Sequence, residues 1–302
     1  MYVVTGATGN TGSQVVKQLL FHGEKVRVIG RDAGRLDWLV KMGAEPFVAD
    51  LKDVTALTRA FTGAKAVYAM IPPSPASPDY RKEQGWISDC IATALAEAGV
   101  RYCVSLSSIG ADKASGTGPI VGLHDFEQKL NAISGLNTMH VRAGYFMENT
   151  LAQADVIPQV GSCAGPLRSD LKLPMVCARD VGQIAGEELL DLDFHGQQIR
   201  EVHGLRDYTY SDCAKIIGQA IGNPNLKYVQ LPDNKLRPAM ERMGMSSNFV
   251  DLILEMSAAL NSGQIVPLEP RSVHNTTPTS FETFVIGEFL PVYQSADLQA
   301  TA

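Results

Sequence analysis

The chain begins with a short apolar run that leads directly into three glycines. Tyr2-Val3-Val4 is β-branched and aromatic, as in a buried strand, and Gly6, Gly9 and Gly12 follow at regular spacing. Apolar residues then recur at helical spacing from residue 13 to residue 20. A strand, a glycine-rich turn and a helix in this order form the setting of a dinucleotide-binding fingerprint, in which the pyrophosphate meets the helix N-terminus. The alternative is a plain glycine-rich turn in an α/β protein.

Strands and helices alternate through the first half of the chain. This alternation predicts parallel strands with right-handed crossovers, and therefore a Rossmann-like, doubly wound α/β domain over residues 1–150. The predicted strands are 2–4, 25–29, 45–49, 66–71, 102–106 and 138–141, and the helices between them are 13–20, 35–42, 53–61, 79–98 and 122–133.

After Gly144 the pattern changes, because strands become short and helices dominate. We expect residues 151–302 to form a smaller, mostly helical substrate lobe over the carboxyl ends of the sheet, with some segments returning to the sheet. The tail after Tyr293 is expected to be loose. The predicted helices are 178–190, 210–221, 235–243, 247–260 and 280–289, with one more strand at 198–202.

Charge and cysteine usage narrow the class of protein. The net charge is −6 and no Lys/Arg-rich block occurs, so the sequence has no electrostatic footprint for nucleic acid or anionic membranes. The N-terminus lacks a signal-peptide pattern. The five cysteines are scattered and never form a Cys-x-x-Cys pair, which is typical of reduced thiols in a cytoplasmic protein rather than of a zinc site.

The residues after the second predicted strand bear on the choice of dinucleotide. An acidic residue there holds the ribose of NAD, whereas an arginine accommodates the 2′-phosphate of NADP. Here Arg31 comes first and Asp32 follows, so NADP(H) is favoured over NAD(H), and Arg35 is a candidate second phosphate contact. The alternatives are that Asp32 is aimed at the ribose or that Arg31 is only a solvated loop charge.

Further candidate cofactor residues follow from their places at strand ends. Asp50 and Leu51 would flank the adenine ring, and Ile71 and Pro72 would pass under the nicotinamide-side ribose, with Pro73 toward the substrate. In the glycine-rich turn the candidates are Gly6, Thr8, Gly9, Asn10, Thr11 and Gly12.

Several segments resemble the NmrA-like group of atypical short-chain dehydrogenase/reductases. They are the turn at residues 5–12, the second strand at 26–31, an Arg-x-Gly-x-Phe-x-Glu-Asn-like segment at 141–149, an Asp-Val-Gly helix start within 176–182, and a Thr-Pro-x-Ser-Phe stretch within 276–284. The resemblance implies a domain that holds NADP(H) and a lobe that shapes a pocket. Members of the group include NADPH-dependent reductases of quinones and dyes, and also sensors that bind the dinucleotide with little or no turnover.

The proton relay of most short-chain dehydrogenases is missing. That relay is a tyrosine four residues before a lysine, and none of the nine tyrosines has a lysine at that spacing. By its distance to the sixth strand, His124 falls near the tyrosine position and Gln128 near the lysine position. His124 is therefore a candidate for proton transfer and substrate contact, or alternatively a hydrogen-bonded structural histidine.

Polar residues at two strand ends complete the candidate site. Ser107 and Ser108 follow the fifth strand, where their hydroxyls could hold a substrate oxygen, contact the cofactor or cap a turn. Tyr145, Phe146 and Asn149 follow the sixth strand and should border the nicotinamide, Asn149 on the substrate side, unless they only pack the core.

The sequence thus predicts an NAD(P)H-dependent oxidoreductase that reduces a small, apolar, electron-poor molecule such as a quinone, a dye or a conjugated carbonyl. No Gly-x-Ser-x-Gly nucleophile elbow and no clustered metal-ligand spacing occur, so no metal is expected. The competing hypothesis is a non-catalytic NADP(H) sensor that acts through a protein partner. Homodimerisation stays open.

Overall fold

A computed structural model describes the backbone of residues 1–300 and the side chains of residues 1–295. Its strands are β1 (Tyr2–Val4), β2 (Val26–Gly30), β3 (Glu45–Val48), β4 (Ala66–Ala69), β5 (Tyr102–Ser108), β6 (Asn137–Ala143), β7 (Tyr145–Phe146), β8 (Cys163–Gly165), β9 (Met175–Val176), β10 (Gln197–Val202) and β11 (Tyr228–Gln230). Seven of them form one parallel sheet in the order β10-β6-β5-β4-β1-β2-β3.

Twelve α-helices surround this sheet and build the lobe. They are α1 (Asn10–Phe21), α2 (Ala33–Lys41), α3 (Val54–Phe61), α4 (Tyr80–Glu97), α5 (Val121–Asn131), α6 (Gln153–Val160), α7 (Ala178–Asp191), α8 (Tyr210–Ala220), α9 (Asp233–Arg242), α10 (Ser247–Asn261), α11 (Phe281–Phe284) and α12 (Leu290–Ala300). None of the helices that the structure describes is long and apolar enough to cross a membrane.

Both faces of the sheet are covered by helices, which is why the central strands β1 and β4 are apolar and fully buried. One core lies under α1, α2 and α7, and a second lies on the opposite face under α3, α4 and α5. The predicted Rossmann-like α/β fold is therefore confirmed. The strand order reverses between β1 and β4, and a crevice for ligands opens at such a reversal, outside the carboxyl ends of the strands.

Helix α7 returns to the sheet and packs unusually close to α1. A Cβ atom added to Gly182 would lie 2.5 Å from the carbonyl oxygen of Thr11, and one added to Gly186 would lie 2.8 Å from Oε1 of Gln18. Two glycines spaced one helical turn apart thus bring the backbone of α7 against α1. Strand β10 also returns and pairs with β6 along six residues.

The lobe contains small sheets that the sequence did not predict. Strand β7 pairs with β9 and β8 pairs with β11, each in parallel over two or three residues, too few for a period of two to be recognised. Helix α6 was also missed, because Pro158 lies inside it. Around these elements a third apolar core joins β8, α8 and the helical segment that begins at Phe281.

The C-terminal segment is tied to the sheet domain through Asp180, near the start of α7. Its carboxylate accepts hydrogen bonds from the Thr279 hydroxyl at 2.8 Å and from the Thr279 N–H at 3.1 Å. A π-helical segment, Val285–Phe289, then joins α11 to α12. The segment after Tyr293, which was expected to be loose, belongs to α12 up to Ala300. Residues 301 and 302 lie outside the described residues.

Candidate active site

The glycine-rich turn requires glycine at two positions for different reasons. Gly6 has a φ of +60°, in the left-handed region that side chains rarely adopt. At Gly12, an added Cβ would lie 2.3 Å from the carbonyl oxygen of Gly6, so a bare backbone is needed for α1 to close on the turn. The N–H of Gly9 donates to the Gly6 carbonyl at 2.9 Å and completes the turn.

The N-terminus of α1 is open to an anion. Gly9 is the N-cap and forms no side-chain cap, and Asn10, Thr11 and Gly12 form the first turn. The N–H groups of a first turn lack partners within their own helix and sit at the positive end of its dipole. The hydroxyl of Tyr68 in β4 holds the Thr11 side chain in place by donating a hydrogen bond to its Oγ1 at 2.9 Å. This arrangement fits the pyrophosphate of a dinucleotide.

The structure separates the roles of Arg31 and Asp32. Asp32 caps α2, because its Oδ1 accepts the N–H of Gly34 at 2.8 Å. Its carboxylate is thereby engaged locally rather than directed at a ribose. Arg31 and Arg35 are exposed, and neither forms an ion pair or side-chain hydrogen bond with a described residue. Both guanidinium groups are thus available to a 2′-phosphate. Asp50 accepts the N–H of Lys52 at 2.9 Å in the next strand-end turn.

A cavity of about 640 Å³ adjoins the glycine-rich turn and continues into the lobe. It brings together ten of the residues predicted from the sequence, Gly9, Asn10, Thr11, Ile71, Pro73, Ser107, Ser108, Tyr145, Phe146 and Asn149. The other predicted residues do not line it: Gly6, Thr8, Gly12, Arg31, Arg35, Asp50, Leu51, Pro72 and His124. Most of these belong to the glycine-rich turn or are predicted to contact the adenosine part of a dinucleotide, away from its reacting end.

The lobe end of the cavity is apolar. Helix α10 supplies most of it, and the segment after that helix closes it with Ile265, Val266 and Pro267. These cavity residues were not predicted from the sequence, although the unbroken apolar run from residue 252 to residue 254 in α10 was a usable signal. The side chains from α10 are Phe249, Ile253, Met256 and Leu260.

A buried carboxylate holds the closing segment in place. Glu201 of β10 accepts the N–H of Leu268 and the N–H of Glu269, each at 3.0 Å. Burial raises the pKa of Glu201, but hydrogen bonds from His203 and from these two backbone groups outweigh it and lower the pKa overall. The charged form of Glu201 therefore anchors the wall of the cavity to the sheet.

The two serines already donate within the protein. The Ser107 hydroxyl donates to Oε1 of Glu127 at 2.5 Å, and Glu127 forms a two-bond ion pair with Arg142, at 2.9 and 2.6 Å. Glu127 and Arg142 expose only 2% and 6% of their side chains. The Ser108 hydroxyl donates to the Ile109 carbonyl at 2.9 Å, which is the turn role considered for it above. Neither serine has a free hydrogen to give to a substrate oxygen.

The structure does not support a proton-transfer role for His124. The Nδ1 atom lies 2.8 Å from the carbonyl oxygen of Ala111, and Leu123 lines the cavity in its place. Gln128, one turn further along α5, is exposed. This contact ties α5 to the loop after β5 and favours the structural alternative, and the role of His124 stays a prediction.

Tyr145 belongs to both the cavity and the core of the lobe. Its hydroxyl lies 2.9 Å from the hydroxyl of Tyr210, whose ring stacks on Tyr228 at 4.7 Å between centroids. Burial raises the pKa of Tyr145, and hydrogen bonds with Tyr210 and Asn149 lower it in part. Tyr145 is therefore a neutral phenol at neutral pH.

Glu148 connects this wall to α7. Its Oε1 accepts the N–H of Ala178, the first residue of that helix, at 2.9 Å. Burial raises the pKa of Glu148, while the hydrogen bond from Ala178 opposes the rise. Glu148 was not among the predicted site residues, although it lies in the 141–149 segment that resembles the NmrA-like group.

These features define a class of protein: a Rossmann-like α/β fold with a dinucleotide-type turn and an apolar cavity beside it. A sequence model of the NmrA-like family matches residues 2–285, and the chain belongs to that family. The resemblance drawn from the sequence is thus confirmed.

The proteins similar to the chain include two curated reductases. The NAD(P)H azoreductase of Xenophilus azovorans is 28% identical over 85% of this chain and 86% of its own length. Quinone oxidoreductase 2 of Escherichia coli is 24% identical over 87% of this chain and 89% of its own length.

Among solved structures, the E. coli NADPH-dependent quinone oxidoreductase in complex with NADPH has a TM-score of 0.76, with 20% identity over 99% of this chain and 100% of its own. The Citrobacter sp. triphenylmethane reductase in complex with NADP(H) has a TM-score of 0.75, with 15% identity over 98% and 100%. At these identities the structures establish a shared fold.

Proposed function

We propose that the protein is an NADPH-dependent reductase of a small, apolar, electron-poor acceptor such as a quinone, an azo or triphenylmethane dye, or a conjugated carbonyl. The observation that carries the proposal is one continuous cavity that extends from the N-terminus of α1 to the apolar wall of α10. Such a shape places a flat acceptor against the reacting end of a dinucleotide. The names of the relatives support the same chemistry.

The residues of the chain fit both the pyrophosphate and the 2′-phosphate of NADP(H). The α1 N-terminus would bind the pyrophosphate, and Arg31 with Arg35 would bind the 2′-phosphate. Bound NADPH supplies a hydride, and that chemistry belongs to the cofactor. The protein contributes by orienting the acceptor between Phe146 and Phe249 and by excluding water from an apolar cavity.

The test is a panel of quinones, azo dyes, triphenylmethane dyes and enones, with loss of nicotinamide absorbance as the readout. We expect turnover with NADPH on at least one class and slower turnover with NADH. Tight NADPH binding without turnover on any acceptor would contradict the proposal. That outcome would favour the sensor hypothesis, which the missing Tyr-x-x-x-Lys pair and the position of His124 also fit, and a pull-down from the source cell would then identify the protein partner.

A further inference from the structure

We propose that Tyr145 donates the hydrogen bond, and then the proton, to the oxygen of the acceptor, and that Tyr210 is the residue that positions it. This inference rests on the proposed reductase function. The proton-donor role predicted for His124 is thereby assigned to a phenol that lines the cavity.

The backbone fixes where the Tyr145 ring lies. A Cβ added to the preceding Gly144 would lie 2.2 Å from the carbonyl oxygen of Pro174, and the Tyr145 N–H donates to that same oxygen at 3.2 Å. Strand β7 then pairs Tyr145 with Met175. The ring therefore stands in the cavity wall directly after β6, at the carboxyl edge of the sheet where the glycine-rich turn also lies.

The direction of the Tyr145–Tyr210 hydrogen bond follows from burial. Tyr210 is only 6% exposed, and Tyr145 is the one hydrogen-bond partner of its hydroxyl among the described residues. A buried O–H group needs an acceptor, so Tyr210 donates and the Tyr145 oxygen accepts. Tyr145 borders the cavity, and its own hydrogen is left free to point into it.

A second phenol, Tyr80, lines the same cavity and is the rival donor. Burial and the neighbouring Glu83 carboxylate raise the pKa of Tyr80 to about 12, and no hydrogen bond to its oxygen among the described residues opposes this. Tyr145 differs because hydrogen bonds from Tyr210 and Asn149 favour its charged form. Of the two phenols, Tyr145 is therefore the better proton donor.

The acceptor takes up one hydride and one proton. Hydride addition leaves the acceptor as an anion whose charge lies on oxygen. The O–H bond of Tyr145 breaks as the product O–H bond forms, and the Tyr145 phenolate is held by Tyr210 and Asn149 until it takes a proton from water at the cavity mouth. One acceptor, one NADPH and one proton thus give the reduced acceptor and NADP⁺.

The experiment compares Tyr145→Phe, Tyr80→Phe and Tyr210→Phe with the parent, using a naphthoquinone as the probe. In the NADP⁺ complex, where no hydride is available, Tyr145→Phe should weaken quinone binding by about 3- to 10-fold. With NADPH, its kcat should fall by about 10²-fold, while NADPH affinity and thermal stability stay near the parent values. Tyr228→Phe is the matched control, because the Tyr228 hydroxyl donates to the Leu167 carbonyl outside the cavity, and its kcat should not change.

The positioning role of Tyr210 has its own readout. Its loss removes a donor from the Tyr145 oxygen, so the alkaline limb of the kcat profile should move to higher pH, a shift that mere loosening of the lobe would not cause. This measurement also decides the matter if Tyr145→Phe fails to fold.

Four outcomes would overturn the inference. If the parent reduces quinones and Tyr145→Phe keeps the parent kcat and quinone affinity, or if only Tyr80→Phe loses both, the inference alone is wrong. An alkaline limb unmoved by Tyr210→Phe would likewise contradict it. If the parent binds NADPH but neither binds nor reduces any acceptor, the proposed function fails first and the role of Tyr145 fails with it.

Discussion

Arg31 and Asp32 stand side by side at the end of β2 and have opposite charges, yet only Arg31 is free of local bonds. We predict that Arg31→Ala weakens NADPH binding by about 10- to 100-fold, the size of a lost hydrogen bond to a charged group, and leaves NADH binding unchanged. Calorimetric titration of both dinucleotides measures this. An equal loss for NADH would show that Arg31 acts on the fold and not on the 2′-phosphate.

Glu127 is the buried partner of both Arg142 and Ser107. We predict that Glu127→Gln lowers the free energy of unfolding by about 3 to 5 kcal/mol, because it leaves the Arg142 guanidinium buried without its counter-charge. Urea unfolding followed by circular dichroism measures it. The ion pair of the partly buried Arg27 and the exposed Glu45 is the control, and Glu45→Gln should cost at most about 1 kcal/mol. Similar losses in both variants would contradict the prediction.

His140 of β6 is fully buried between Ser105, 2.7 Å from Nδ1, and Asn131, 2.8 Å from Nε2. Burial lowers the pKa of His140 to about 4, against 6.5 in the unfolded chain. The unfolded state therefore binds more protons between these values, and stability should fall by about 3 kcal/mol as the pH drops through that window.

Urea midpoints measured between pH 7 and pH 4 test this dependence. A His140→Gln variant should lose most of the slope in that window. A variant with the parent slope would place the dependence on other groups.

For single residues, the sequence could show which residue types follow each strand. It could not show which of their polar groups are already used in hydrogen bonds within the protein. The place of His124 near the first turn of α5 was correct, yet its role depended on the Ala111 carbonyl, thirteen residues away on a loop without periodicity. Asp32 could have been recognised as a helix cap, because aspartate directly before a helix is a capping signal. Glu127 as the partner of Ser107 had no signal at all.

Gly182 is where two elements meet, because α7 touches the first turn of α1 there. We predict that Gly182→Ala costs about 1 to 3 kcal/mol of stability and also weakens NADPH binding, since the added Cβ would displace Thr11. Gly85→Ala in α4 is the matched control. A Cβ at that position meets nothing within 4 Å, so it should be neutral or stabilising by up to about 1 kcal/mol. Thermal unfolding and NADPH titration of both variants decide, and unchanged binding in Gly182→Ala would contradict the coupling.

Element length decided what could be predicted. The sheet strands and the long helices carry enough residues for a period to be read, and they lie where the sequence placed them, within a few residues at each end. The two-residue strands β7 and β9 are too short to show a period. They form because Gly144 lets the chain approach Pro174. Contacts of this kind depend on the tertiary fold.

At the scale of the whole molecule, the sequence predicts a division near residue 150. However, the edge strand β10 of the main sheet comes from the second half of the chain. We predict that a fragment of residues 1–150 does not behave as a folded monomer, because it lacks β10 at the edge of β6 and α7 over the face of α1. Size-exclusion chromatography and circular dichroism test this. A soluble, cooperative monomer would confirm the division as a true domain boundary.

The close packing of α7 on α1 has a consequence for synthesis on the ribosome. The glycine-rich turn is made first. Helix α7, which covers α1, and strand β10, which pairs with β6, are made only with residues 178–202, about 35 to 60 residues after the end of β6. At translation rates of about 5 to 20 residues per second, the nascent sheet waits several seconds with an open edge and an uncovered apolar face. During that interval the protein depends on its surroundings, so chaperone supply and translation speed through residues 144–202 should set the yield of folded protein in a cell.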